Sequence, residues 1–205
     1  MNWQLNKIQY PVYNLGEGKR IGIWVQGCTL RCKGCVNKTL WSRTKGKSIP
    51  VLDLFNWIFS IQHEFDGITI SGGEPFQQYE QLISFLHLIK IKTRLGVNTF
   101  TGYYLKELNV LFPDRLFSKY MDYLIDGRYI EFQHENKNIK GSSNQTLYKF
   151  INGIPVRQNE KIITNKWSIK ISKENQIYMA GIPKKDELKH LCDGLASVGI
   201  IKNFK

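Results

Sequence analysis

Apolar and polar residues follow two different periods along the first 150 residues of the chain. Four short runs rich in β-branched and aromatic residues predict buried strands, at Arg20–Gln26, Gly67–Ser71, Leu95–Phe100 and Met121–Ile125. Between them, apolar residues recur at helical spacing and predict two amphipathic helices, one that opens at Ser48–Pro50 and one over about residues 78–93. Strands and helices in this order indicate βα units and a mostly parallel sheet.

The two ends of the chain depart from this order of elements. At the start, residues 1–19 predict a polar lead-in with a turn at Asn14–Lys19. After residue 150 the pattern predicts two further strands and a helix, at Trp167–Ser172, Gln176–Ala180 and Lys184–Val198.

These elements predict an α/β fold in two parts. Residues 1–150 form the core, and residues 151–205 form a small C-terminal α+β extension that packs on the core. A core of roughly 130 structured residues is too short for a closed eight-fold β/α barrel, which takes about 250. A partial, open β/α barrel is therefore the expected architecture.

The composition is that of a soluble globular protein, since 42% of the residues are hydrophobic and 22% are charged. No run approaches the length of about 18 apolar residues that a membrane-spanning helix needs, so no membrane association is expected. The first residues also lack the apolar segment of a signal peptide. We therefore expect a cytoplasmic, reducing setting, which suits free thiols.

The chain is basic, with 29 Lys and Arg against 17 Asp and Glu and a formal net charge of +12. Such a balance is compatible with nucleic acid, an acidic protein or a phosphate-rich substrate as partner. The basic residues are spread along the chain and form no tail, so they fit solvated surface faces equally well. The charge by itself selects no partner.

Three of the four cysteines lie in one short loop after the first predicted strand, Cys28, Cys32 and Cys35, at the spacing C-x3-C-x2-C. Thiolates favour zinc, copper(I) and iron–sulfur clusters. A structural zinc site takes four ligands, whereas the neighbouring sequence offers no fourth cysteine and no histidine, and Cys192 is far downstream. A 4Fe–4S cluster held by three thiolates keeps one iron open for chemistry.

A second motif supports iron–sulfur chemistry. Ser71-Gly72-Gly73-Glu74-Pro75 follows the second predicted strand, and its paired glycines permit positive φ and a close approach of the backbone to a ligand. Together with the cysteines, this segment resembles the signature of radical S-adenosylmethionine (SAM) enzymes. The resemblance implies a partial barrel of radical SAM type, a 4Fe–4S cluster on the three cysteines, and SAM bound at the open iron.

Further motifs narrow this resemblance, and they occur in a fixed order along the chain: Gly27–Trp41, Ser71–Pro75, Thr101–Tyr103, Leu124–Arg128 and Gly141–Gln145. Over about residues 10–150 they resemble the activating proteins of anaerobic (class III) ribonucleoside-triphosphate reductase. Members of that family use a 5′-deoxyadenosyl radical to take a hydrogen from a glycine Cα of the reductase. The resemblance implies a glycyl radical enzyme as protein substrate, and an electron donor such as flavodoxin or ferredoxin.

The same resemblance implies SAM contacts for eight further residues. Two flank the last cysteine, three form the glycine turn, and three lie at or after later strands: Gly34 and Val36, Gly72, Gly73 and Glu74, and Thr101, Asp126 and Asn144. The glycine turn would face the methionine end of SAM, with Glu74 orienting the loop. Thr101 and Asp126 are candidates for its ribose or carboxylate and Asn144 for the mouth of the site, although all three fit turn or cap roles equally well.

Two alternatives stay open from the sequence. The chain could direct the same radical chemistry at a different peptide or a small molecule, because residues 151–205 extend beyond the minimal activating protein. An alternative from another class is a non-catalytic iron–sulfur or zinc module that binds nucleic acid through its positive charge. The glycine turn has no use in such a module, so nucleic acid is the less favoured partner.

Overall fold

The computed structural model describes residues 1–135, 139–159, 167–171, 177–181 and 185–197. In chain order its strands and α-helices are β1 (Asn2–Val12), β2 (Arg20–Val25), β3 (Lys47–Pro50), α1 (Val51–Ile61), β4 (Gly67–Gly72), α2 (Tyr79–Lys92), β5 (Gly96–Phe100), α3 (Leu105–Leu111), α4 (Leu116–Tyr120), β6 (Tyr123–Asp126), β7 (Thr146–Ile151), β8 (Ile154–Gln158), β9 (Ser168–Ile171), β10 (Ile177–Ala180) and α5 (Lys185–Ser197). The predicted α/β class is confirmed. Within these described ranges, no helix is both long enough and apolar enough to cross a membrane.

Four parallel strands form the centre of an eight-stranded sheet, in the spatial order β2-β4-β5-β6. They correspond to the four predicted buried runs. Antiparallel strands border this centre on both sides. On one side β1 pairs with β2 and β3 pairs with β1, and on the other β7 pairs with β6 and β8 pairs with β7. The four central strands therefore end at one edge of the sheet, which is where α/β folds place their binding sites.

The main apolar core lies between the central strands and helices α1 and α2. Successive side chains of a strand point to opposite faces, and one face supplies the strand half of this core: Ile21, Ile23, Val25, Ile68, Ile70 and Val97, packed with Leu54, Ile58, Leu82, Phe85, Leu86 and Ile89 of the helices. Burying each of these side chains stabilises the fold by about 1.5–3 kcal/mol. The opposite face of the sheet carries polar side chains, and there Arg20 Nε of β2 donates to Thr69 Oγ1 of β4 at 2.8 Å.

The prediction of a polar lead-in over residues 1–19 is wrong, because residues 2–12 form the long strand β1 between β2 and β3. Trp3 and Leu5 of this strand are buried in the main core. A register shift between Leu5 and Lys7 interrupts the pairing with β2 and therefore the simple alternation of apolar and polar residues. The helix predicted to open at Ser48–Pro50 begins at Val51, because those residues belong to β3.

The residues beyond 150 form two distinct structures. Strand β8 extends the main sheet by pairing with β7, whereas β9 and β10 pair with each other in a separate two-stranded sheet, here called the C-terminal ribbon. The ribbon packs on the core through Ala180, which is buried against Val12 and Leu15. The predicted two-part division stays a prediction, and the predicted element ends at Ser172, Gln176, Lys184 and Val198 lie outside the described residues.

Candidate functional site

The loop that contains the cysteines extends from the carboxyl end of β2 and is fastened at its base. The side-chain amide of Gln26 donates to the carbonyl of Thr39 at 2.9 Å. The backbone N–H groups of Gly27 and Cys28 donate to carbonyls of the returning segment 40–41 at 2.9 and 3.2 Å. These bonds close the loop at its base, so the cysteines are held at the end of the first parallel strand.

Cys28, Cys32 and Cys35 are free thiols of intermediate exposure, and all three line one cleft of about 430 Å³. Burial raises the pKa of the Cys28 and Cys32 thiols, and the nearby charge of Arg128 partly opposes this for Cys32. Cys192 is buried on α5 and does not line the cleft. Among the described residues, no three Cys, His, Asp or Glu side chains converge on a single-ion site, so ligation by three thiolates stays a prediction.

The Gly72–Gly73 turn holds the end of β4 against the base of the cysteine loop. The N–H of Gly73 donates to the Val25 carbonyl at 2.8 Å, and the N–H of Glu74 donates to the Gly27 carbonyl at 2.9 Å. Gly72 has a φ of +111°, which residues with a Cβ rarely adopt. A Cβ at Gly73 would overlap the Gly27 carbonyl. The close backbone approach that Gly73 permits is therefore made to the residue before the first cysteine.

The carboxylate of Glu74 is buried, with 1% of the residue exposed, and it lines the same cleft. Its Oε1 accepts hydrogen bonds from the Phe76 N–H at 3.1 Å and the Thr101 hydroxyl at 2.8 Å, and its Oε2 accepts one from the Gly102 N–H at 2.8 Å. Burial raises the pKa of Glu74 to about 7, and the three donors oppose this rise. Glu74 thus joins the turn after β4 to the loop after β5.

Thr101 and Asp126 occupy corresponding places after β5 and at the end of β6, but only Thr101 lines the cleft. The carboxylate of Asp126 accepts hydrogen bonds from the backbone N–H groups of Leu105 at 2.7 Å and Thr146 at 3.2 Å. Burial raises the pKa of Asp126, and these two donors oppose the rise. The contacts of Asp126 are those of a cap at the start of α3, and its predicted contact with SAM stays a prediction.

Asn144 also lies outside the cleft lining, whereas its neighbour Gln145 is part of it. Asn144 donates from Nδ2 to the Arg128 carbonyl at 2.9 Å. Gln145 donates from Nε2 to the Gly127 carbonyl at 2.8 Å and accepts at Oε1 from the Gly141 N–H at 2.9 Å. The residue of the Gly141–Gln145 motif that orders this side of the cleft is therefore Gln145, which the sequence motif contained but did not single out.

Gly34 and Val36, the predicted neighbours of the last cysteine, differ in position. Val36 lines the cleft and is 55% exposed. Gly34 does not line it; its φ is +81°, and a Cβ there would crowd the side chain of Glu131. The glycine before Cys35 is thus explained by the packing of the segment around Glu131 against the cysteine loop.

Two walls of the cleft were not predicted from the sequence. One comes from β1, the loop after it and β2, and the other from the C-terminal ribbon: Lys7, Asn14, Leu15 and Trp24, and Met179, Ala180 and Gly181. Asn14 joins the two walls, because its Nδ2 donates to the Ala180 carbonyl at 2.8 Å. Lys7 was missed because the strand β1 was not predicted, and nothing local in the ribbon sequence indicates that the ribbon lies beside the cysteine loop.

These residues fit an iron–sulfur cluster with a small ligand beside it. Thiols are the donors that such clusters use, and three of them open into the cleft together with the glycine turn, Glu74 and Thr101. A cleft of about 430 Å³ lies within the range of about 300–1,000 Å³ that small-molecule sites occupy. The cleft that the thiols line is therefore of a size that small-molecule ligands occupy.

Comparison with known proteins settles the family. Residues 14–148 match the 4Fe-4S single cluster domain, a span that contains the cysteine loop, the glycine turn and all the other motifs named above. The chain belongs to this family. The resemblance stated from the sequence is confirmed.

Several proteins similar to this chain are named as activating proteins or enzymes. The anaerobic ribonucleoside-triphosphate reductase-activating protein of Haemophilus influenzae is 33% identical over 156 residues, which are 71% of this chain and 99% of that protein. The protein of the same name from Enterobacteria phage T4 is 27% identical over 143 residues, 68% of this chain and 89% of that protein. The pyruvate formate-lyase-activating enzyme of Listeria monocytogenes is 37% identical over 88 residues, 41% of this chain and 34% of that protein.

The C-terminal ribbon lies outside the part of the chain that matches the 4Fe-4S family, since that match ends at residue 148. The Haemophilus protein is covered almost in full by 71% of this chain. This member of the family therefore has a cleft with one wall, at Met179–Gly181, that comes from beyond the family match.

Proposed function

We propose that this chain is a radical SAM enzyme that activates a glycyl radical enzyme, with anaerobic ribonucleotide reductase as the first candidate. The observation that carries the proposal is that the three thiols and the Gly72–Glu74 turn line one cleft and are joined through the Gly27 carbonyl. The names of the relatives, which activate anaerobic ribonucleoside-triphosphate reductase or pyruvate formate-lyase, support this reaction class. The parallel βα units support the partial barrel of radical SAM type.

In this proposal Cys28, Cys32 and Cys35 hold the 4Fe–4S cluster and leave one iron open for SAM. When bound and reduced, the cluster would supply one electron to the SAM sulfonium, which would yield methionine and the 5′-deoxyadenosyl radical. The role of the protein in this proposal is to hold the groups around the cluster in position. Glu74 fixes the glycine turn and Thr101 relative to the cysteine loop by its buried hydrogen bonds.

The remaining predicted residues divide by their place relative to the cleft. We assign direct SAM contacts to the residues that line it, Val36, Gly72, Gly73, Glu74 and Thr101. Gly34, Asp126 and Asn144 do not line it, and we assign them the positioning of the loops that do. Gln145 joins this second group through its bond to the Gly127 carbonyl and also lines the cleft itself.

The proposed protein substrate is a segment of the partner that carries a glycine. In the proposed reaction one hydrogen atom would pass from the glycine Cα to the 5′-deoxyadenosyl group, so 5′-deoxyadenosine would form and the unpaired electron would stay on the glycine. Each activation consumes one electron from a donor such as flavodoxin or ferredoxin. The predicted cytoplasmic setting, with thiols kept reduced, fits such a sequence of steps.

The test is electron paramagnetic resonance of a partner mixed with this protein. The reconstituted protein, SAM and a reductant are added under anaerobic conditions to the anaerobic ribonucleotide reductase encoded in the same genome. We expect an organic radical signal whose main splitting disappears when the glycines of the reductase are deuterated at Cα. A reductase that remains without a radical while 5′-deoxyadenosine is released would exclude this partner.

That second outcome would support the alternative target, a different peptide or a small molecule. The observation that favours this alternative is the ribbon wall of the cleft, which lies beyond the region that matches the 4Fe-4S family. Release of 5′-deoxyadenosine stimulated by a fraction of cellular peptides or metabolites, and not by the reductase, would establish it. The family match makes a non-catalytic zinc module the weakest of the three hypotheses.

A further inference from the structure

A second groove lies beside the cleft, between the N-terminal strands and the C-terminal ribbon. It has a volume of about 490 Å³ and is lined by residues of β1, β3, β9 and β10: Leu5, Asn6, Lys7, Ile8 and Gln9, then Lys47 and Ile49, then Lys170 and Tyr178. The ribbon side lies beyond residue 148, where the family match ends. The groove is therefore not contained in the region that defines the family.

The charged groups in this groove have one sign. Its lining contains three lysines and no Asp or Glu, and within the described residues none of the three forms an ion pair. Lys47 and Lys170 are exposed. Lys170 is held in place, since its Nζ donates to the Tyr10 carbonyl at 3.2 Å and lies 4.9 Å from the centre of the Tyr10 ring. The groove thus presents positive charge without a neighbouring carboxylate from the described chain.

Lys7 connects the groove to the cleft, because it lines both. Its Nζ donates to the Met179 carbonyl at 3.1 Å and lies 4.5 Å from the centre of the Trp24 ring. Trp24 and Met179 line the cleft that also contains the three thiols. The groove and the cleft therefore adjoin at Lys7.

We propose that this groove binds an extended, acidic segment of the protein partner and leads it toward the cleft. The inference rests on the proposed function, because it assigns the substrate segment of the same site. Carboxylates of such a segment match the three ammonium groups of the groove. Apolar residues of the groove such as Ile49 can pack against the residues that lie between those carboxylates. Charge complementarity of this kind mainly raises the rate of encounter and selects the partner, and the net charge of +12 acts in the same direction.

The experiment measures binding of a fluorescein-labelled Glu-Gly repeat peptide to the full-length, reconstituted protein by fluorescence anisotropy. The groove variant is Lys47→Glu with Lys170→Glu, which leaves Lys7 and the cleft unchanged. The matched control is Lys106→Glu with Lys119→Glu, which makes the same change in net charge on exposed residues of α3 and α4. We expect the groove variant to bind the peptide roughly tenfold more weakly and the control to bind within about twofold of wild type.

Equal losses in the two variants, or no loss in either, would overturn the proposal, since binding would then follow net charge or another surface. A single-stranded oligonucleotide of matched charge that displaces the peptide and binds more tightly would also overturn it, in favour of nucleic acid. Release of 5′-deoxyadenosine is measured on the same preparations. A wild-type protein that binds the peptide at the groove but releases none would contradict the proposed function alone, so the two failures are distinguishable.

Discussion

The hydroxyl of Thr101 donates a 2.8 Å hydrogen bond to the carboxylate of Glu74, which lies 27 positions earlier in the chain. The bond joins the turn after β4 to the loop after β5, and the N–H of Glu74 also holds the Gly27 carbonyl beside the first cysteine. A buried carboxylate costs free energy unless donors surround it, and here three donors do so. Glu74 is therefore the group through which three strand ends hold a common geometry.

Replacing Glu74 by Gln should destabilise the protein. The amide oxygen can still accept from Thr101, but the amide nitrogen would face the N–H of Gly102, so two donors would oppose each other. Leaving a buried donor without an acceptor costs about 1–3 kcal/mol. Urea unfolding of the metal-free protein measures this loss. An unchanged midpoint would show that the three hydrogen bonds do not hold the turn.

The wild-type protein and the Glu74→Gln variant should differ in how their stability depends on pH. The folded pKa of Glu74, about 7, lies above its ordinary value of 4.5, so the folded protein binds this proton more tightly than the unfolded chain does. The resulting stabilisation is complete below pH 4.5 and is lost as the pH rises through 7. Relative to Glu74→Gln, the wild-type free energy of unfolding should fall by about 3 kcal/mol over this interval. A difference that stays constant with pH would contradict the raised pKa.

Replacing Gly73 by Ala should reduce the iron content of the reconstituted protein as well as SAM binding. A Cβ at this position would overlap the Gly27 carbonyl, and the base of the cysteine loop would have to move. Overpacking of this kind costs about 1–3 kcal/mol. The matched control is Gly194→Ala on α5, where a Cβ meets no atom of the described residues within 4 Å, and where alanine favours the helix by about 1 kcal/mol.

Iron analysis and thermal unfolding of the two glycine variants make this comparison. We expect lower iron and a lower Tm for Gly73→Ala, and values equal to or above wild type for Gly194→Ala. If Gly73→Ala kept full iron and lost only SAM binding, the glycine would serve the ligand and not the Gly27 contact.

How far the sequence predicts the fold and the site depends on how local each feature is. The four parallel strands and the cysteine loop were predictable because periodicity and spacing act over a few residues. The strand β1 was not, because its register shift after Leu5 breaks the alternation on which a strand prediction rests. The partner of Gly73 was not predictable either, because the contact with Gly27 forms only when β2 and β4 pair.

The walls of the cleft could not be predicted from short stretches of sequence either. The bond between Lys7 Nζ and the Met179 carbonyl joins residues 172 positions apart, so no sequence window contains both. The motifs single out Asp126 and Asn144, but the residue that lines the cleft is in each case the next one along the chain, Gly127 or Gln145. Which residue of a loop faces a cleft is set by the strand register and the hydrogen bonds of that loop.

Removing the C-terminal ribbon should separate SAM cleavage from activation of the partner. A chain that ends after Gln158 keeps β1 to β8, so we expect it to fold and to retain its iron. It exposes Val12 and Leu15, which Ala180 covers, and each exposed side chain costs up to about 1.5–3 kcal/mol. We expect 5′-deoxyadenosine release to persist without partner, and radical formation on the partner to be impaired.

The full-length variant Ala180→Asp is the companion to this truncation, since it places a charge against the same apolar residues without shortening the chain. It should show the same separation of the two activities. Joint loss of iron, 5′-deoxyadenosine release and radical transfer in both proteins would instead make the ribbon part of the core.

We expect the four cysteines to divide into three that hold the cluster and one that does not. Replacing Cys28, Cys32 or Cys35 by Ala should remove most of the iron and abolish SAM cleavage, because two thiolates hold a 4Fe–4S cluster poorly. The control is Cys192→Ala, which changes a thiol that does not line the cleft. Loss of iron in Cys192→Ala equal to that in Cys32→Ala would indicate a fourth protein ligand and no open iron.

Release of 5′-deoxyadenosine by the reconstituted wild-type protein is the most direct test of the account. The protein is supplied anaerobically with SAM and a reductant, and the product is quantified beside the Cys32→Ala variant. We predict a 4Fe–4S cluster on the wild-type chain and 5′-deoxyadenosine formation that requires SAM, the reductant and Cys32. A wild-type protein that carries the full cluster and yet releases no 5′-deoxyadenosine would contradict the proposal that this cleft performs radical SAM chemistry.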